Sequence, residues 1–131
     1  MKANELRIGN YYKDKHGIGS IVGYDLFMFE GYCLGVRHIK NSFCESWEPI
    51  PLTEQWLKDF KFRYYKSHFN SWELNGVSVY WPEHKKNEKH FTVWVGRNRE
   101  DGQWVKLELK LYHVHQLQNL YFALTGKELT K

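Results

Sequence analysis

The sequence predicts an α+β fold built mainly from antiparallel strands, and three observations predict it. Short runs rich in aromatic and β-branched residues recur along the chain between glycines. Helical spacing is confined to two segments, one after Pro49-Ile50-Pro51 and one covering the last nineteen residues. A chain of 131 residues with 18% aromatic content can fill one core without a disulfide or a metal. It reads as a single compact unit over residues 1–131, with two lobes, 1–50 and 51–131, as the alternative.

The first fifty residues give five candidate strands, at 6–12, 20–24, 26–30, 32–39 and 43–48. Gly9, Gly17, Gly19, Gly23, Gly31 and Gly35 fall between or beside them, where turns and bends need small residues. Short strands at such close spacing predict an SH3-like small barrel or a bent sheet. Gly17-Ile18-Gly19-Ser20-Ile21-Val22-Gly23 reads as a turn, because Val22 stands where a dinucleotide loop has its third glycine and no helix follows.

Pro49-Ile50-Pro51 marks the boundary, since each proline pushes its predecessor toward extended backbone. A short helix follows over 53–60. Thr53 is placed to cap it through its hydroxyl, and Leu52 with Leu57 has the spacing of a hydrophobic staple. Trp56, Leu57 and Phe60 share its apolar face.

A second meander fills the C-terminal half. Strands at 71–74 and 77–81 flank Asn75-Gly76, the strongest short hairpin signal in the chain. Strands at 90–95 and 103–112 form a further hairpin. In the last of these Val105, Leu107, Leu109 and Leu111 alternate with Lys106, Glu108 and Lys110, which predicts one buried and one wet face. The closing helix places Val114, Leu117, Leu120, Tyr121 and Leu124 on its core side, and Thr125-Gly126 ends it. Gln116 and Gln118 are placed to satisfy unpaired groups of a neighbouring strand edge.

Charge and cysteine usage bound the function. Nineteen Lys and Arg against fifteen Asp and Glu give a net charge of +4, a mild bias toward anionic partners. No stretch approaches the ~18 apolar residues of a membrane span, and the N-terminus lacks the apolar run of a secretory signal. Two cysteines and no glycosylation sequon point to a reduced, cytoplasmic setting.

No cofactor, metal or catalytic residue is assigned. Cys33 and Cys44 have ten residues between them, His38 among these, which is outside the tight knuckle spacing of structural zinc sites, and no second cysteine pair exists. His113 and His115 aim at different sides of a helix. Neither a nucleophile elbow nor a local cysteine–histidine signature is present. Binding chemistry has more support. Aromatic and basic residues interleave over 60–66 and 94–99, the combination that stacks bases and neutralises phosphates on sheet-faced modules. Alternation alone also produces such a pattern, with the rings inward and the cations in water.

Three stretches resemble short uncharacterised proteins encoded by phages, prophages and other mobile elements of Bacteroides-type gut bacteria. They are Glu5-Leu6-Arg7-Ile8-Gly9-Asn10-Tyr11, Pro49-Ile50-Pro51-Leu52-Thr53-Glu54-Gln55-Trp56-Leu57, and the run from Val114 to Gly126. The resemblance implies origin and order of elements, with no substrate, cofactor or catalytic residue. Family members often carry Gly where this chain has Lys61, which predicts either a strained left-handed Lys61 or a different helix exit.

The expected function is therefore a non-enzymatic mobile-element accessory protein that binds a macromolecule, with a nucleic-acid-binding module as the alternative and a small hydrolase third. Candidate partner-binding residues are His115, Gln116 and Asn119 on the closing helix, and Trp94, Arg97 and Arg99 around the last hairpin.

Overall fold

The computed structural model describes residues 7–15, 17–21, 47–66, 70–81, 90–96 and 104–131 in full, and residues 25–29 and 32–37 through their backbone pairing. The fold is α+β and its strand pairs are antiparallel. Strands β1 (Tyr11–Asp14) and β2 (Gly17–Ser20) form one two-stranded sheet, and β3 (Asp25–Phe29) and β4 (Tyr32–Arg37) form another. The remaining strands, β5 (Arg63–Tyr65), β6 (Ser71–Leu74), β7 (Val77–Tyr80), β8 (Phe91–Gly96) and β9 (Trp104–Leu111), make a five-stranded sheet in sequence order. No closed barrel joins the described strands.

The N-terminal pairing differs from the glycine-based expectation. Residues 7–10 form a turn in which the Asn10 carboxamide accepts the Arg7 N–H at 2.7 Å and the Arg7 carbonyl accepts the Asn10 N–H at 3.0 Å. The first described strand consequently begins at Tyr11, after residues 7–10, which the apolar pattern places in a strand. Residues 17–20 of the segment expected as a glycine turn form strand β2, because the chain has already reversed between Asp14 and Gly17, which pair in register. Glu48 extends this ribbon by exchanging both backbone hydrogen bonds with Lys13, at 3.1 and 2.7 Å. That pairing stacks Trp47 on Tyr12 at 4.2 Å and buries both with Ile21. Burial, and secondarily the Asp14 carboxylate, raises the Tyr12 phenol above its ordinary value.

Helix α1 (Glu54–Asp59) begins as expected but is capped differently. Thr53 has the extended backbone of an N-cap while its hydroxyl makes no cap hydrogen bond. The staple is present in burial, with Leu52 at 4% exposure and Leu57 at 0%. At the other end Lys61 takes φ 67°, the left-handed option. Its N–H reaches the Lys58 carbonyl at 2.9 Å and the Phe62 N–H reaches that of Leu57 at 2.9 Å. Those two bonds, with Phe62 and Leu57 both in the core, make a Schellman stop.

Helix α2 (Val114–Thr125) closes the fold, with Gly126 at φ 70° as its left-handed cap. Its start is tied to the proline segment: the Val114 N–H meets the Ile50 carbonyl at 2.9 Å, and the Leu52 N–H meets that of Tyr112 at 2.8 Å. Val114, Leu117 and Tyr121 pack with Trp56 and Leu57 of α1 and with Phe60 at its C-terminal cap on one face of the large sheet, against Trp72, Val77, Val79, Phe91, Val93 and Leu111. Leu120 is only partly buried and Leu124 is 42% exposed, so the core side of α2 is narrower than its spacing suggests.

Strand β9 also departs from its pattern. Val93 pairs with Leu107 but Thr92 pairs with Lys110, so Glu108 and Leu109 are extra residues in a bulge. Val105 at the edge is 63% exposed and the bulged Leu109 is 45% exposed, leaving Leu111 as the buried member of the series.

Candidate nucleic-acid interface

Because side chains alternate along a strand, the residues between the core positions of the large sheet project from its other face. The registers align them in two rows that cross all five strands. One row runs Arg63, Glu73, Ser78, Trp94, Lys106, and the other Tyr65, Ser71, Tyr80, Thr92, Lys110. Both described helices lie on the opposite face, with the core.

The chemistry of this face differs from that of the core face. Tyr65, Tyr80 and Trp94 are half-buried, while Arg63, Lys106 and Lys110 are exposed. Tyr80 and Trp94 stand diagonally on adjacent strands, with ring centroids 6.5 Å apart and planes tilted 45°. Ser71 and Ser78 are only 4% and 5% exposed, sunk between larger neighbours, so the rings rise above a floor of small hydroxyl residues. The Thr92 hydroxyl donates to the Tyr80 carbonyl at 3.5 Å. Three cations against the single Glu73 carboxylate leave the two rows positive. Glu108 approaches Lys106 at 3.9 Å, a loose exposed pair that leaves the ammonium available to an anion.

The residues expected to bind a partner divide between this face and the helix. Trp94 lies on the face, between Ser78 and Lys106 in register. Arg97 and Arg99 lie outside the described residues. His115 is 3% exposed, packed within the molecule. Gln116 closes the start of α2, its Oε1 accepting the N–H groups of Tyr112 at 2.9 Å and His113 at 3.1 Å. Asn119 is half-buried on the same helix. The structure does not bring the helix trio to the sheet face.

Gln118 has the role expected of an edge cap. Fully buried, its Oε1 accepts the Tyr11 N–H at 2.9 Å, and its Nε2 donates to the carbonyls of Gly9 at 2.9 Å and Leu129 at 3.0 Å. Of the two interleaved stretches, 60–66 splits. Phe60 and Phe62 enter the core, while Arg63 and Tyr65 face outward. Tyr80, Lys106 and Lys110 stand on the face without a sequence motif to mark them. Period-two alternation from the Asn75-Gly76 turn assigns Ser78 and Tyr80 to the face away from Val77 and Val79, and that signal could have found Tyr80.

Among the described residues no group of three or more His, Cys, Asp or Glu side chains could hold a metal ion, and no helix is long and apolar enough to cross a membrane. Comparison with protein-family models, curated proteins and solved structures gives no match.

Proposed function

We propose that the chain is a non-enzymatic binding protein that holds single-stranded nucleic acid on the outer face of its five-stranded sheet. The observation that carries this reading is the pair of cross-strand rows, which set Tyr65, Tyr80 and Trp94 among Arg63, Lys106 and Lys110. Bases stack on exposed aromatic faces whatever their identity, and flanking cations neutralise the backbone phosphates. A duplex buries its base faces within its own stack, so this arrangement favours single strands. Half-buried rings suit the task, since a ring fixed along one edge loses little entropy when a base covers its face.

The resemblance of the three sequence blocks to mobile-element proteins supports a phage or prophage origin. An accessory protein of such an element meets single strands during replication or transfer, and the two readings agree. The ribbons β1–β2 and β3–β4 are the pieces from which the proposed SH3-like N-terminal barrel would be assembled. The reduced-thiol reading of the cysteines supports a cytoplasmic setting.

Fluorescence anisotropy with a labelled single-stranded 12-mer tests the reading. The expected result is saturable binding whose log affinity falls with log salt at a slope of about −2, from roughly 0.7 per phosphate and three cations. Duplex of the same length binds more weakly. No anisotropy change at low salt, or equal affinity for the duplex, overturns it.

A further inference from the structure

On the helical side of the molecule, remote from the rows described above, an ammonium group sits against aromatic rings. The Lys131 Nζ lies 3.5 Å from the centroid of the Trp56 ring, 5.9 Å from that of Tyr11 and 3.1 Å from Asp59 Oδ2. Phe60 backs both rings, with centroids 5.5 Å from Trp56 and 6.1 Å from Tyr11. An indole face with a second ring and a carboxylate is the donor set that recognises alkylammonium cations, because the ring quadrupole and the anion attract the same charge.

Contacts other than those of Lys131 hold the walls. Tyr11 is fixed by the Gln118 carbonyl oxygen that accepts its N–H, and it packs on Trp56 at 5.2 Å. Trp56 and Phe60 belong to the core. The Asp59 carboxylate is oriented by the Gln55 amide, which donates to Oδ1 at 2.8 Å and leaves Oδ2 for a cation.

The occupant is held more loosely than the walls. The Lys131 side chain is 42% exposed, and its backbone N–H donates to the Tyr11 hydroxyl at 3.2 Å. The chain before it is anchored separately at Leu129, which is 3% exposed and bonded through its carbonyl to Gln118. The lysine can therefore leave while residues 127–129 stay docked.

We propose that Tyr11, Trp56 and Asp59 form a binding site for the alkylammonium group of a lysine side chain on a partner polypeptide, and that Lys131 fills it in cis. Tethering sets the effective concentration of Lys131 at the site in the millimolar range, so a partner's lysine must displace it. Occupancy by a partner frees Lys131 to solvent.

Titration of the protein with n-butylammonium chloride, against sodium chloride at matched ionic strength, tests the site. The Trp56 indole resonance is followed in two-dimensional NMR spectra. Lys131→Ala is expected to give a saturable shift at least about tenfold tighter than wild type, since the cis competitor is gone. Adding Asp59→Asn should weaken binding by about fivefold, the reach of a solvent-exposed ion pair. Lys131→Ser serves equally should Lys131→Ala fail to fold. Equal response of wild type and variant, a non-saturating shift in the variant, or undiminished affinity after Asp59→Asn each overturns the proposal.

Discussion

At the residue scale, Gln118 replaces water for three backbone groups at once, binding Gly9, Tyr11 and Leu129 from inside the core. Replacing it by Leu keeps the volume and strips every partner. With unsatisfied buried groups costing ~1–3 kcal/mol each and partial relaxation toward solvent, Gln118→Leu is expected to destabilise by about 3 kcal/mol in urea unfolding. Lys61 offers the opposite sign. Its φ of 67° strains an L-residue, and glycine removes that strain while adding some freedom to the unfolded chain. Lys61→Gly should therefore raise stability by ~0.5–1 kcal/mol. Asp59 adds a pH dependence. The hydrogen bond from Gln55, followed by that from Lys131, holds its carboxyl below the ordinary value against the opposing effect of desolvation. A lowered folded value means that its stabilisation is fully present above the ordinary Asp range, about 3.9, and is lost as pH falls through the folded value. The stability difference between wild type and Asp59→Asn should be constant near neutrality and vanish in acid.

At the element scale, α2 separates what periodicity reveals from what packing decides. Its apolar spacing identified the helix and its Gly126 stop, yet the same spacing counted Leu124 with the core although it is 42% exposed. The core side ends at Tyr121, whose hydroxyl meets the Asn75 carboxamide of the β6–β7 turn. Beyond that contact Phe122 and Leu124 are exposed. Leu117→Ala should accordingly cost ~2–5 kcal/mol, and Leu124→Ala about 0.5 kcal/mol or less, measured by thermal unfolding. The β6–β7 hairpin was fully legible, because Asn75 at φ 48° and Gly76 at φ 78° supply the two positive angles that a two-residue turn demands. A Cβ at Gly76 would lie 2.6 Å from the Gly96 carbonyl oxygen. The β8–β9 register was not legible, since no residue pattern announces the extra pair Glu108 and Leu109. For the same reason the alternation of β9 promised a buried Leu109 that the bulge turns outward.

At the scale of the whole molecule, the three sequence blocks that bracket the chain meet at one junction. Gly9 and Tyr11 hang on Gln118, Ile50 starts α2 through the Val114 N–H, and Trp56 packs on Tyr11. These contacts give the blocks a role in folding, and the proposed nucleic-acid surface lies elsewhere, on the sheet face opposite α1 and α2. That face was half legible. Trp94 and the interleaved stretch 60–66 hinted at it, but the rows exist only once five strands are in register, and pairing between β7 and β8 spans a connection of ten residues that sequence cannot align. The central claim is that stacking on these rings holds a single strand. The most direct measurement is the affinity of Trp94→Ala for a labelled single-stranded 12-mer, beside wild type at the same salt. Loss of one stacked base at ~1–3 kcal/mol predicts affinity weaker by roughly 5- to 150-fold with the salt slope unchanged. Unchanged affinity in a folded Trp94→Ala protein would contradict the claim.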